Sequence, residues 1–136
     1  LMTALAKCCK PAPPDPIVGF VTRGKGVSIH RLSCKNFVEM RSKAPERVIQ
    51  TAWGSAGHDT VYPVDLFILA GDRQGLLRDI SEVFSREKIN VIGVNTQSAK
   101  GVARMVFTAE IGSTATLQKA LSAITEVSGV QEARRQ

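Results

Sequence analysis

The apolar residues after residue 60 constrain the fold of this chain more than any other feature, because they follow two different periods. Stretches in which every second residue is apolar predict strands with one buried face, and apolar residues three or four positions apart predict amphipathic helices. The predicted elements are strands over 61–70, 89–98, 102–111 and 130–135, and helices over 76–88 and from Ser113 or Thr114 to Gly129. Their order, β-α-β-β-α-β, is that of a ferredoxin-like split βαβ domain.

The first of these strands is apolar on both faces. Leu66 and Ile68 share the face that we expect to carry the two helices, whereas Phe67 and Leu69 point to the opposite face. Apolar residues on an open sheet face favour a cover over that face. We therefore expect a homodimer, or packing against another domain, on this side of the sheet.

A shorter segment of different character precedes this domain. Small and polar residues over 54–60 are typical of a linker, which gives a first domain over 1–53 and a second over 61–136. In the first domain we predict a hairpin of strands over 17–22 and 27–30, a helix over 34–42 capped by Ser33 with Phe37 and Val38 facing inward, and a strand over 48–53. The predicted fold class is α+β, a small α/β Cys/His module followed by the ferredoxin-like domain.

Three cysteines and one histidine are the strongest chemical signal in the first domain. Cys8 and Cys9 are adjacent, and His30 is followed by Cys34 across a predicted strand-to-helix turn. Three thiolates and an imidazole would make a closed, structural zinc site, which would support a thin core. Two other interpretations stay open: a redox switch, or a buried Cys34 with His30 on the surface and one adjacent cysteine idle. The odd cysteine count, with no secretion-signal pattern, favours a reducing, cytoplasmic location.

All of the net positive charge lies in the first domain. Residues 1–53 carry nine Lys and Arg against three acidic residues, whereas residues 54–136 carry nine of each sign. Such asymmetry indicates a polyanionic partner, RNA first, or a basic solvated surface. The candidate RNA contacts are Arg23, Lys25, Arg31 and Lys35.

The turn over 71–77, which joins the first strand of the second domain to its first helix, is a second candidate site. Backbone N–H groups at a helix start favour a carboxylate or another anion, and Gly75 lets a ligand approach the backbone. The alternative is structural, with Asp72 as a helix cap and Gly75 in a tight turn. Asn90 and Asn95 are candidates to hold an amino group or a carboxylate. No nucleophile–base pair, carboxylate pair or open metal site stands out in the sequence, which predicts a region without catalytic activity.

Runs of residues in this chain resemble two known families. The resemblance to an ACT domain rests on G-D-R-Q-G-L-L-R-D-I at 71–80, I-N-V at 89–91 and Thr96. The resemblance to the conserved-cysteine module of the RelA/SpoT proteins rests on A-K-C-C-K-P at 6–11, I-V-G-F at 17–20 and G-K-G-V-S-I-H-R-x-x-C at 24–34. Those proteins are the long synthetases and hydrolases of guanosine tetra- and pentaphosphate.

The resemblance implies a regulatory fragment of a GTP pyrophosphokinase, of a (p)ppGpp 3'-pyrophosphohydrolase, or of an enzyme with both activities. It implies a zinc-finger-like module with its ligands at Cys8, Cys9, His30 and Cys34, in contact with ribosomal RNA and tRNA. It also implies a homodimer through the ACT domain and a ligand, with a branched-chain amino acid as the candidate, near Asp72, Arg73, Gly75, Leu76 and Asn90. The alternative function is an amino-acid-binding ACT regulatory module of a metabolic enzyme.

Overall fold

A computed structural model describes residues 2–24, 26–54 and 60–136 of the chain. The chain divides into two compact units, Leu1–His58 and Asp59–Gln136. The boundary falls inside the segment predicted as a linker, most of which lies outside the described residues. In the part of the chain that is described, no helix is long and apolar enough to cross a membrane. The predicted α+β class is confirmed, because each unit contains a four-stranded sheet and at least one helix.

The first unit is a sheet with one helix. Its elements are β1 (Met2–Leu5), β2 (Ile17–Val21), β3 (Gly26–Arg31), α1 (Lys35–Lys43), a short 3-10 turn (Pro45–Arg47) and β4 (Val48–Ile49). The strands follow the order β1-β3-β2-β4. β2 and β3 form the predicted antiparallel hairpin, whereas β1, which we did not predict, pairs in parallel with β3.

The helix and the last strand of this unit differ from their predictions. The N-cap residue of α1 is Cys34, not Ser33, and Val38 is 43% exposed while Phe37 is buried. Phe37 packs with Val18 and Phe20 of β2, and the neighbouring position is turned about 100° around the helix towards solvent. β4 ends at Ile49, short of the predicted strand over 48–53, and Thr51 then lies against Gly19 of β2.

The second unit has the predicted β-α-β-β-α-β order. Its elements are β5 (Tyr62–Gly71), α2 (Leu76–Arg86), β6 (Val91–Ala99), β7 (Val102–Ile111), α3 (Thr114–Thr125) and β8 (Val130–Arg135). The strands follow the order β6-β7-β5-β8, and all neighbours are antiparallel, as in a ferredoxin-like sheet. The pairing of β6 with β7 shifts register between Val91 and Gly93.

The core of the second unit lies between the central strands and the two helices. Leu66 and Ile68 are fully buried on the helix side of β5, and the ring of Phe84 on α2 lies 5.1 Å from that of Phe107 on β7. Phe67 is only half-buried, because it faces the opposite side of the sheet, as predicted. The helix starts differ from each other: Ser113 caps α3, whereas α2 begins at Gly75 and not at Asp72.

Candidate metal centre and other predicted sites

The fold of the first unit brings the three cysteines and His30 to one end of its sheet. β1 runs beside β3, and the N–H of Ala6 donates to the carbonyl of Ile29, so the chain after β1 passes next to His30. The N–H of Lys10 donates to the carbonyl of Ala6 and closes a turn. This turn allows both adjacent cysteines to point towards one place, which an extended chain would prevent.

The distances between these four side chains fit a tetrahedral metal site. The sulfur of Cys8 lies 3.5 Å from Nδ1 of His30 and 3.6 Å from the sulfur of Cys34. The sulfur of Cys9 lies 3.9 Å from the same Nδ1, and all four ligand atoms lie within 4.8 Å of one another. Tetrahedral zinc, with Zn–S bonds of about 2.3 Å, holds two sulfur ligands about 3.8 Å apart. The residues present therefore fit a metal ion of this kind.

The environment of these groups sets their protonation before any metal binds. Burial lowers the pKa of His30 below its ordinary value, which favours a neutral imidazole. Burial raises the pKa of the Cys9 thiol to about 12, although the N–H of Arg31, 3.3 Å from the sulfur, opposes this change. A metal would take up the Cys9 side chain as a thiolate and displace its proton.

Cys34 behaves differently from Cys9, since its pKa is lowered. Burial alone would raise this pKa, but the backbone N–H of Phe37 and the hydrogen bonds from Cys8 and Cys9 outweigh that effect. The backbone N–H of Asn36, also at the start of α1, lowers the pKa of Cys34 further. Cys34 is therefore deprotonated more readily than Cys9.

Arg23, Arg31 and Lys35, the RNA-contact candidates that the structure describes, do not form one compact patch. Arg23 is exposed in the turn between β2 and β3, whereas Lys35 is exposed at the start of α1, beyond the other end of β3. Arg31 lies near that second end and forms an ion pair with Asp15 at 3.7 Å. Lys25 lies outside the described residues. The candidates therefore extend along the length of the hairpin.

The turn before α2 is held together by Arg73. Its Nη2 donates to Oδ2 of Asp79 at 2.8 Å, and its Nε donates to the carbonyl of Ser128 at 2.9 Å. The predicted ligand contact Leu76 is a core residue, 2% exposed, and Gly75 adopts a left-handed conformation with φ of 81°. Asp72 is exposed and does not cap the helix. Most of the turn is thus occupied by contacts within the chain.

Asn90 lies at the other end of the sheet from this turn. Its Nδ2 donates to Oε1 of Glu110, and Glu110 pairs with Pro63 near the start of β5. The turn follows Gly71 at the end of the same strand, which places the two regions roughly 26 Å apart along β5. Asp72, Arg73, Gly75 and Leu76 are therefore neighbours, but a single chain does not bring Asn90 to them.

One polar contact to the metal centre is absent from the sequence predictions. The hydroxyl oxygen of Ser28 lies 3.0 Å from Nε2 of His30, on the side of the ring away from the cysteines. Two residues that are separated by one position on a strand share a face, so the spacing of Ser28 and His30 carried this signal.

Comparisons with known proteins give results for both units and for the chain as a whole. Residues 1–54 match the RelA/SpoT RIS domain, and residues 58–135 match the ACT domain. The chain is 41% identical to the GTP pyrophosphokinase of Escherichia coli (strain K12) over 137 aligned positions, which cover 99% of this chain and 18% of the relative. It is 40% identical over 136 positions to the bifunctional (p)ppGpp synthase/hydrolase RelA of Mycobacterium tuberculosis (strain ATCC 25618 / H37Rv), again with 18% of the relative covered.

A solved structure supports the fold of the second unit. The crystal structure of the ACT domain from the GTP pyrophosphokinase of Chlorobium tepidum aligns with a TM-score of 0.52 and 19% identity. The alignment covers 57% of this chain and 100% of that one. Both resemblances are thus confirmed: the cysteine-module motif by the RIS match, and the motif at 71–80 by the ACT match.

Proposed function

Because this chain belongs to the ACT-domain family and is related over its whole length to RelA/SpoT enzymes, we propose that it is a non-catalytic regulatory region of a (p)ppGpp synthetase or hydrolase of the stringent response. The observation that carries the proposal is the similarity of about 40% identity, which extends over both units. The chain spans 18% of the length of these relatives, so the proposed role is to control catalytic domains elsewhere in a longer protein.

The metal centre would stabilise the first unit. Cys8 and Cys9 follow β1, His30 belongs to β3, and Cys34 precedes α1, so a bound zinc would join three segments. Four protein ligands leave no position for water, and such closed sites are structural rather than catalytic. The core of this unit is small, and a metal contributes folding free energy directly in domains of that size.

The basic first unit would contact ribosomal RNA and tRNA in the cytoplasm. This unit carries the entire formal charge of +6, and the exposed Arg23 and Lys35 lie at opposite ends of its hairpin. Cations spread over that distance suit the phosphates of a nucleic acid backbone better than a single small anion. Lys7, exposed beside Cys8, adds a cation that the sequence predictions did not include.

The ACT unit would pair with a second copy and transmit a ligand signal. Phe67 and Leu69 lie half-buried on the sheet face without helices, and the guanidinium of Arg134 lies 4.9 Å above the ring of Phe67. A small ligand, for which a branched-chain amino acid is the candidate, would contact Asp72 and the backbone at Gly75. The remaining contacts to this ligand would come from a partner subunit, because Asn90 of the same chain is remote from the turn.

Salt-dependent RNA binding tests this proposal. We expect the affinity for a labelled ribosomal RNA fragment to fall steeply between 50 and 200 mM salt, in proportion to the phosphates contacted. The double variant Arg23→Ala with Lys35→Ala should make the plot of log affinity against log salt concentration shallower, reducing the magnitude of its slope by about 1.5. The matched control is Arg86→Ala with Lys119→Ala, two exposed cations on the helices of the second unit. A salt-independent affinity would remove the electrostatic argument, and amino-acid binding without RNA affinity would favour the metabolic-enzyme alternative.

Metal content is measured on the same protein, purified without chelators. We expect about one zinc per chain by elemental analysis, and loss of zinc in the Cys34→Ala variant. Removal of the metal should lower the melting temperature of the first unit, which the fluorescence of Trp53, the single tryptophan, reports. Three free thiols without metal would contradict the zinc site and leave the RNA test unaffected.

A further inference from the structure

The hydroxyl group of Ser28 lies between the metal centre and the backbone of the neighbouring strand. Ser28 and His30 are two residues apart on β3 and therefore share a face of the sheet. The hydroxyl oxygen of Ser28 is 3.0 Å from Nε2 of His30. On its other side it is 3.4 Å from the carbonyl oxygen of Phe20, the residue directly opposite on β2.

This arrangement assigns the protons. A serine hydroxyl has one proton to donate and lone pairs to accept with, whereas the carbonyl of Phe20 can only accept. The hydroxyl of Ser28 therefore donates to Phe20, and its lone pair accepts the N–H of Nε2. A neutral imidazole with its proton on Nε2 has a lone pair on Nδ1, which is the nitrogen 3.5 Å from Cys8 and 3.9 Å from Cys9.

We propose that Ser28 is a positioning residue for the metal centre: it holds His30 in the tautomer whose Nδ1 faces the three cysteine sulfurs. The inference rests on the proposed zinc site. In the opposite tautomer, Nδ1 would carry a proton directed at the sulfurs, and metal binding would have to displace that proton. Nε2 would then have no proton to donate to Ser28. The ring of Phe37, 6.1 Å from the imidazole, packs beside His30 but offers no polar partner that could replace Ser28.

Zinc affinity of matched variants tests the role of Ser28. The loss of a hydrogen-bond partner behind a metal-bound histidine typically weakens metal affinity about 10–100-fold, so we expect that range for Ser28→Ala in competition with a chromophoric chelator. Ser28→Thr keeps a hydroxyl and should restore the affinity to within a few-fold of wild type. Ser33→Ala, which removes an exposed hydroxyl near the same turn, is the control and should bind zinc as wild type does.

The tautomer is read separately by long-range ¹H–¹⁵N NMR of the histidine rings. The chain has two histidines, and a His58→Gln background leaves His30 alone. Metal-free protein should show the proton on Nε2, and zinc should shift the Nδ1 resonance. A proton on Nδ1, or equal zinc affinity of wild type and Ser28→Ala, would overturn the role of Ser28 while the zinc site stood. A wild-type protein that binds no zinc would instead overturn the site itself. If Ser28→Ala fails to fold, the NMR measurement of the His30 tautomer in the metal-free protein with a wild-type Ser28 tests the role of Ser28 on its own.

Discussion

Gly19, at the centre of β2, has no room for a side chain. A Cβ atom there would lie 2.8 Å from Cγ1 of Ile49, 2.8 Å from Cγ2 of Thr51 and 2.9 Å from Cγ1 of Val27. All three neighbours are β-branched, and such side chains are stiff at χ1, so they cannot turn away without strain. The absence of a side chain at residue 19 therefore lets Ile49 and Thr51 pack against β2.

We expect Gly19→Ala to lower the free energy of unfolding of the first unit by about 1–3 kcal/mol, the usual cost of overpacking a core. The control is Gly24→Ala in the hairpin turn, where a Cβ would meet no atom within 4 Å. Urea unfolding followed by the fluorescence of Trp53 measures both variants. Equal stability of Gly19→Ala and wild type would mean that the strand shifts to make room.

The charge of Asp79 makes the stability of the second unit depend on pH. Its pKa is lowered from 3.8, mainly by the hydrogen bond from Arg73 and further by Arg78. A carboxyl group whose pKa is lower in the folded state stabilises the fold above its ordinary pKa, and this contribution is lost as the pH falls through the folded-state value. The contribution is therefore complete at neutral pH, begins to decrease near pH 3.8 and is lost only below the lower folded-state pKa.

Asp79→Asn should accordingly reduce the melting temperature of the second unit at pH 7, because the charged bond to Arg73 is lost. The difference from wild type should shrink as the pH falls below 3.8 and vanish once the wild-type carboxylate is protonated. Thermal melts by circular dichroism at several pH values measure this. Glu82→Gln, an exposed acid on the same helix, is the control. A difference independent of pH would show that packing, not charge, holds the turn.

At the scale of the elements, the three helices begin in different ways. The hydroxyl of Ser113 accepts the N–H of Thr116 at 3.1 Å at the start of α3, whereas α2 begins at the left-handed Gly75 and α1 after the metal-centre residue Cys34. Only α3 thus has a cap that a conventional N-cap substitution removes cleanly. The other two starts are tied to the Arg73 turn and to the cysteine cluster.

We expect Ser113→Ala to destabilise the second unit by about 1 kcal/mol, the typical contribution of a serine N-cap. Ser122→Ala, an exposed position inside α3, removes the same hydroxyl without a capping role and should be neutral or slightly stabilising. Chemical denaturation of the two variants, monitored by circular dichroism, compares them directly. A cost equal to that of Ser122→Ala would show that water replaces the cap without loss.

At the scale of the whole molecule, the two units differ in charge and in exposed apolar surface. The first unit carries the formal charge of +6, and the second is neutral but has a sheet face without helices. On that face Leu69 lies opposite Arg104 of β7 and Glu132 of β8. This division is consistent with the two proposals, RNA contact by the first unit and self-association by the second.

Leu69→Glu should therefore weaken self-association, since a carboxylate would enter the proposed apolar interface and lie beside Glu132. Sedimentation velocity over a range of concentrations measures the monomer fraction. Leu77→Glu, which places the same charge at an exposed position on α2, is the control. An unchanged dimer in Leu69→Glu would mean that copies meet through another surface.

The sequence by itself determined the elements of the second unit and the residue types of the metal centre. Its strands and helices are long and strongly periodic, and this information is local, because each residue's pattern depends on neighbours a few positions away. The spacing of the cysteines and His30 made Cys8, Cys9, His30 and Cys34 candidates for one metal site, and the resemblance to the RelA/SpoT module named the same four residues. Short elements such as β4, and cap positions such as Ser33, carry too little local pattern to be predicted with the right bounds.

Only the tertiary structure decided which distant residues meet. The parallel pairing of β1 with β3 and the turn after β1 bring Cys8 and Cys9 to His30, 21 or more positions later in the chain. Long-range packing likewise brings Arg73 to the carbonyl of Ser128, to which it donates a hydrogen bond. It leaves Asn90 at the far end of the sheet, bonded to Glu110. Such pairings depend on competition among all possible partners of a strand or side chain, and this competition is settled by packing of the whole unit rather than by any local stretch.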